Sequence, residues 1–134
     1  MFPSDTRILI VDDMGPLRMI VRGQLKDMRF SDITEASDGH KAVEILNRDY
    51  LRNMPIDLIL SDWNMPVMKG IELLKIVRDD PRFKSLPFIM ITAESERSLI
   101  MDAIKAGVSS YIMKPFSAAS LEGKLKTVWS KLHP

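Results

Sequence analysis

Asp12, Asp13, Asp62, Thr92 and Lys114 are the residues of this 134-residue chain whose types could do chemistry together, because each follows a short apolar run. Ile8-Leu9-Ile10-Val11 leads into Asp12-Asp13, and Leu58-Ile59-Leu60 into Ser61-Asp62. Phe88-Ile89-Met90-Ile91 leads into Thr92-Ala93-Glu94, and Val108 to Met113 into Lys114-Pro115. If those runs are strands of one parallel sheet, their ends bring three carboxylates, a hydroxyl and an ammonium to a single edge, where open α/β sheets place their chemistry. Two carboxylates about 4 Å apart repel by about 4 kcal/mol at an effective dielectric of about 20. Three together therefore need a cation or raised pKa values. A donor set of oxygens without His or Cys favours Mg²⁺. A carboxylate can also attack phosphorus to give an aspartyl phosphate, with the charge of the transferring group neutralised by a metal and a cation. Lys114 would supply that cation and Thr92 a hydrogen bond to a phosphoryl oxygen.

Taken singly, each residue has a plainer role. Asp12-Asp13 could simply start a helix, Asp62 could sit in a turn, Thr92 could end a strand, and Lys114 could be solvated. Tyr111 could be a core aromatic with its hydroxyl at the surface. The ten methionines, Met65, Met68, Met90 and Met113 among them, suit gap-filling in a core. It is the joint placement that points to phosphoryl chemistry.

The elements that must position these residues follow from two alternating hydrophobic periods. Ile8 to Val11, Leu58 to Leu60 and Phe88 to Ile91 are continuous apolar runs, as in strands buried on both faces, with Val108 to Met113 a fourth run and Ile33 to Ala36 a weaker fifth. Between them lie amphipathic helical stripes. These are Leu17, Ile20, Val21, Leu25 and Met28; Ala42, Val43, Ile45, Leu46 and Tyr50; Ile71, Leu74 and Val77; Leu99, Ile100, Ala103 and Ile104; and Leu121, Leu125, Val128, Trp129 and Leu132. Asp38-Gly39 marks the start of the second helix, Asp80-Pro81 the end of the third, and Gly107 a left-handed cap after the fourth. Five βα units predict an α/β fold, a three-layer sandwich around a five-stranded parallel sheet.

Composition narrows the chemistry further. Nineteen Lys and Arg against eighteen Asp and Glu give a net charge of +1, so nothing global points to nucleic acid or an anionic membrane. The absence of cysteine excludes disulfides, thiolate zinc and a catalytic thiol. His40 and His133 are too far apart in sequence to suggest a His-based metal site or triad. No apolar run reaches the roughly 18 residues of a membrane span, and the N-terminus does not read as a signal peptide. The expectation is a cytoplasmic monomer forming one domain over residues 1–134.

The segments Val11-Asp12-Asp13, Ser61-Asp62-Trp63-Asn64-Met65-Pro66, Thr92-Ala93-Glu94, Tyr111 and Lys114-Pro115-Phe116 resemble the receiver domains of two-component response regulators, and among them the single-domain chemotaxis type. The resemblance covers nearly the whole chain. It implies a flavodoxin-like (βα)5 fold with strand order 2-1-3-4-5 and a phosphoacceptor role for Asp62. It implies Mg²⁺ held by Asp12, Asp13, Asp62 and the backbone carbonyl of Asn64. Lys114 would contact the phosphoryl group, aimed by a cis bond to Pro115, Thr92 would be the switch hydroxyl, and Tyr111 the aromatic that turns inward. Asn64 and Glu94 would tune dephosphorylation, here toward quick turnover. The phosphoryl source would be a histidine kinase of the chemotaxis type. The output surface, with Ser95, Ile100, Tyr111, Met113 and Lys124, would meet a flagellar motor switch protein. The chain would be a switch and not an enzyme, and its length leaves no room for a separate output domain.

Other functions remain open at this point. A phosphorelay shuttle or phosphate sink would use the same chemistry with different wiring. A phosphatase of the haloacid dehalogenase type needs an Asp two residues after its nucleophile, where this chain has Asn64, and a flavin carrier would be repelled by Asp12-Asp13. Two departures from the receiver pattern stand out. Met14-Gly15-Pro16 follows the acidic pair, where glycine would permit an unusual loop conformation and proline would start the helix. Lys69 precedes Gly70 where relatives commonly carry Asp, which opposes the helix dipole and forgoes a side-chain N-cap.

Overall fold

In the computed structural model, residues 1–134 are described, apart from the side chains of Glu94, Ser95 and Glu96. The elements alternate as the two periods predict: β1 (Ile8–Val11), α1 (Gly15–Asp27), β2 (Ile33–Ala36), α2 (Gly39–Leu51), β3 (Leu58–Asp62), α3 (Gly70–Asp79), β4 (Phe88–Ala93), a 3₁₀ segment (Glu94–Leu99) running into α4 (Ile100–Lys105), β5 (Ser110–Lys114) and α5 (Ala118–Leu132). All strand pairings are parallel, in the order β2-β1-β3-β4-β5. The registers Val11 with Ser61, Asp62 with Ile91, and Ala93 with Lys114 bring the carboxyl ends of β1, β3, β4 and β5 level.

Alternation along the strands divides the core into two layers. Leu9, Val11, Ile59, Phe88 and Met90 pack with Leu46, Leu73, Leu74 and Val77, so α2, α3 and α4 cover one face. Ile8, Ile10, Leu58, Leu60, Ile89 and Ile91 pack with Val21, Leu25, Leu121, Leu125 and Val128, so α1 and α5 cover the other. Both faces of β1, β3 and β4 are thereby buried, which is why their sequences read as unbroken apolar runs.

Helix starts follow the expected chemistry. Asp38 caps α2 by accepting the Lys41 N–H at 2.8 Å, and Ser117 caps α5 by accepting the Ser120 N–H at 3.1 Å. Pro16 sits in the first turn of α1, and Gly107 takes a left-handed φ of +94° after α4. Lys69 provides no side-chain cap to α3. Instead Glu72 reaches back to accept the Lys69 N–H at 3.1 Å.

Four expectations need correction. On the fourth stripe Ala103 is buried, but Ile104 is exposed and Leu99 ends a 3₁₀ segment ahead of the short α4. The fifth strand starts at Ser110, because the Val108 N–H is taken up closing α4 on the Ala103 carbonyl. As an edge strand, it buries Ile112 and leaves its neighbours half-buried. Gly15 is an ordinary first residue of α1 without a left-handed φ, so it supplies no unusual loop. Ile20 and Tyr50, placed on buried stripes, are exposed, as are Met14, Met19, Met54 and Met101, so the methionines fill the core only in part.

Candidate functional site

Asp12, Asp62 and Thr92 are buried at the carboxyl edge of the sheet, at 4%, 5% and 1% exposure, while Asp13 is exposed. One carboxylate oxygen from each of Asp12, Asp13 and Asp62 lies within 4.8 Å of the others. Lys114 Nζ is 2.8 Å from Asp62 Oδ1 and 3.9 Å from Asp12 Oδ2. The Lys114–Pro115 bond is cis. The edge therefore brings together the three carboxylates, the hydroxyl and the ammonium picked out in the sequence.

Local folding fixes each of these groups. The Asp12 N–H donates to the Ala36 carbonyl at 3.1 Å, extending the β1–β2 pairing by one step, and Asp12 Oδ1 accepts the Met14 N–H at 2.9 Å. Arg18 donates to the Asp12 carbonyl and, at 3.0 Å, to Glu35 Oε1, tying α1 to the ends of β1 and β2. Past Asp62, the Trp63 N–H donates to the Ile91 carbonyl at 2.8 Å, and the Gly70 N–H returns to the Trp63 carbonyl at 2.9 Å. A Cβ on Gly70 would lie 2.3 Å from the Asp62 carbonyl oxygen, so the β3–α3 loop can close this tightly only on glycine. The same loop seats Met68 against Gly39 of α2. Nothing in the sequence singled out Arg18 or the Met68–Gly39 contact, because both depend on how separate elements dock.

Burial drives the electrostatics. The Asp12 carboxyl is pushed above its ordinary value, chiefly by desolvation, and further by Asp13; the Met14 N–H and the Lys114 charge oppose the rise. A buried acid held in this way beside two further carboxylates is eased by a cation, and an all-oxygen donor set suits a hard divalent one. The cluster thus fits a metal of the Mg²⁺ type.

Thr92 Oγ1 is buried and, among the described residues, has no hydrogen-bond partner. Such an orphan is costly unless another state satisfies it. Tyr111 is half-buried against the α2–α4 side of the core, and Lys124 Nζ stands 5.0 Å from its ring centroid. Ile100 and Met113 are also half-buried, and Met113 is in register with Thr92. The side chains of Glu94 and Ser95 lie outside the described residues. Beside the cluster, Asp13, Asn64, Met65, Pro66, Val67, Lys69 and Glu72 line an open pocket of about 500 Å³.

The family model of the response regulator receiver domain matches residues 8–126. The chain belongs to this family. The receiver domain is 45% identical over 129 residues to the chemotaxis protein CheY-3 of Vibrio cholerae, covering 96% of this chain and 95% of that one. It is 41% identical over 127 residues to the chemotaxis protein CheY of Pseudomonas aeruginosa, covering 95% and 98%. Among solved structures, Vibrio cholerae CheY4 aligns with a TM-score of 0.79 at 31% identity, covering 92% of this receiver domain and 98% of that chain. The receiver domain of AraT, a response regulator from Geobacillus stearothermophilus, aligns at 0.80 and 29% identity over 95% of each chain. Among the described residues, no helix is long and apolar enough to cross a membrane.

Proposed function

We propose that this receiver domain is a response regulator that accepts a phosphoryl group on Asp62 and signals through its α4–β5–α5 surface. The observation that carries the reading is the placement of Asp62, buried beside Asp12 and Asp13 with Lys114 Nζ 2.8 Å from its Oδ1. Asp12, Asp13, Asp62 and the Asn64 backbone carbonyl would hold Mg²⁺, which when bound neutralises charge on the transferring phosphoryl oxygens.

An Asp62 carboxylate oxygen attacks phosphorus in line. The bond from phosphorus to the imidazole nitrogen of a kinase phosphohistidine breaks, and the imidazole leaves with the electron pair. Lys114 follows the charge onto the phosphoryl group. The orphaned Thr92 hydroxyl then gains an acceptor there, and its movement opens room for Tyr111 to pack further inward. A surface with two arrangements is biased in this way toward one of them. Ser95, Ile100, Tyr111, Met113 and Lys124 are the residues of that surface, with a flagellar motor switch protein as the proposed target. Asn64 and Glu94 tune the return reaction with water.

The wiring is tested by incubating the protein with Mg²⁺ and a small phosphodonor, and then capturing partners with and without the donor. Donor-dependent capture of a motor component supports the output role. Transfer of the label to a second histidine protein, without such capture, would favour a phosphorelay shuttle. Steady release of phosphate from added phosphate esters would favour a phosphatase, although Asn64 is no general acid.

A further inference from the structure

Lys69 is the departure from the receiver pattern that the phosphoryl chemistry leaves without a role. Its backbone N–H donates to Glu72 Oε1 at 3.1 Å, and its Nζ donates to Asn64 Oδ1 at 3.4 Å. Lys69 and Asn64 line the open pocket of about 500 Å³, and Asp13 belongs to both this pocket and the carboxylate cluster. The pocket is thus a solvent-side approach to the acidic edge, and an ammonium rests on its wall.

That placement matters electrostatically. An anion coming to three carboxylates is repelled, and Lys114, paired with Asp62, balances part of that charge from within. Lys69 is the cation of the outer wall. Glu72 stands on the same wall, but its carboxylate is turned to the Lys69 N–H at the start of α3, where the positive end of the helix dipole offsets it. The Lys69 ammonium has donors only, so the Asn64 carbonyl oxygen tethers it at the pocket without cancelling its charge.

We propose that Lys69 is a specificity-determining residue for the phosphodonor: it favours donors of higher negative charge, such as acyl phosphates, by attracting them into the pocket beside Asp13. The proposal rests on the reading of Asp62 as acceptor. With an acyl phosphate, an Asp62 oxygen bonds to phosphorus, the bond from phosphorus to the acyl oxygen breaks, and the carboxylate leaves with the electron pair. Lys69 acts on the encounter and not on this step, so it changes the donor concentration needed and not the maximal rate.

The test compares labelling by acetyl phosphate, a dianion at neutral pH, with labelling by phosphoramidate, a net monoanion, at saturating Mg²⁺. One exposed unit charge across such a pocket shifts binding about threefold for each unit of ligand charge. Lys69→Gln is therefore expected to raise the half-saturating acetyl phosphate concentration about tenfold and that of phosphoramidate about threefold, with maximal rates unchanged. Lys69→Arg should retain wild-type behaviour, Lys69→Asp should exceed the Gln effect, and high salt should close the gap. Equal losses with both donors, a loss confined to the maximal rate, or failure of Lys69→Arg to retain the preference would overturn the proposal. Absence of label on the wild type, or label on Asp62→Asn, would overturn the acceptor reading itself, whatever residue 69 does.

Discussion

Lys114 Nζ stands 2.8 Å from Asp62 Oδ1 and 3.9 Å from Asp12 Oδ2, so the ammonium is committed first to the proposed acceptor and only second to the metal side of the cluster. Both carboxylates are nearly buried, while the lysine retains access to solvent. In the absence of a divalent ion, Lys114 therefore offsets charge that Mg²⁺ would otherwise balance. Lys114→Met should destabilise the metal-free domain by about 2 kcal/mol, the scale of a hydrogen bond between charged groups. It should also bind Mg²⁺ more tightly, yet label at least tenfold more slowly. Calorimetric titration with Mg²⁺ and labelling rates check the two halves independently.

The raised Asp12 pKa gives a pH dependence of definite sign. Folding raises the carboxyl above its ordinary 3.8, so the folded chain holds this proton more tightly than the unfolded chain. This group's contribution to stability is therefore lost as pH rises from 3.8 through the raised value. Asp12→Asn removes the penalty and should be more stable than wild type by about 1 kcal/mol at neutral pH without metal, an advantage that vanishes near the unfolded value. Mg²⁺ at one hundred times its dissociation constant should stabilise the wild type by about 2.7 kcal/mol, enough to reverse that order and put it ahead of a variant that no longer holds the ion. Urea denaturation of both proteins across this range, with and without Mg²⁺, tests the prediction.

Thr92 Oγ1 is buried without a partner among the described residues, an arrangement that costs stability in the unphosphorylated state. Thr92→Val should stabilise that state by about 1 kcal/mol, and it should still accept a phosphoryl group. Coupling to Tyr111 should be lost. The tyrosine ring resonances, followed by NMR, should shift on phosphorylation in the wild type and remain in place in the variant.

Gly70 closes the β3–α3 loop against the strand that carries Asp62. A Cβ there would meet the Asp62 carbonyl at 2.3 Å and Met90 Sδ at 2.8 Å, and of these the backbone atom has no room to yield. Gly70→Ala should cost about 1–3 kcal/mol by overpacking. Whatever fraction folds should label poorly, because β3 must shift. The unfolding midpoint in urea and the labelling rate of the folded fraction are the measurements.

Arg78 holds the far end of the sheet. Its guanidinium donates to the Gly107 carbonyl at 2.8 Å and the Leu86 carbonyl at 2.7 Å, and burial lowers its pKa. A lysine cannot span both carbonyls with a planar fork. Arg78→Lys should cost about 2 kcal/mol while leaving Asp62 labelling intact in the folded protein, as thermal unfolding and labelling would show.

The strand ends were legible in the sequence because β1, β3 and β4 are buried on both faces, which forces unbroken apolar runs whose polar boundaries stand out. Asp12, Asp62 and Thr92 are three such boundaries, and the structure gathers them with Asp13 and Lys114. The edge strand β5 and the short α4 were less legible. Each has one side uncovered, so exposed Ile104 obeys the same period as buried Ala103. The docking of the loop onto α2 through Met68 and Gly39, and the tie from Arg18 to the Asp12 carbonyl, join elements that no local pattern connects.

Locating the label on the chain decides whether Asp62 is the phosphoryl acceptor. The protein is incubated with Mg²⁺ and acetyl phosphate, trapped by borohydride reduction of the acyl phosphate, and mapped by peptide mass spectrometry. Reduction is expected at Asp62, with none in Asp62→Asn and none without Mg²⁺. Reduction at Asp12 or Asp13 in the wild type, or equal labelling of Asp62→Asn, would contradict that role for Asp62.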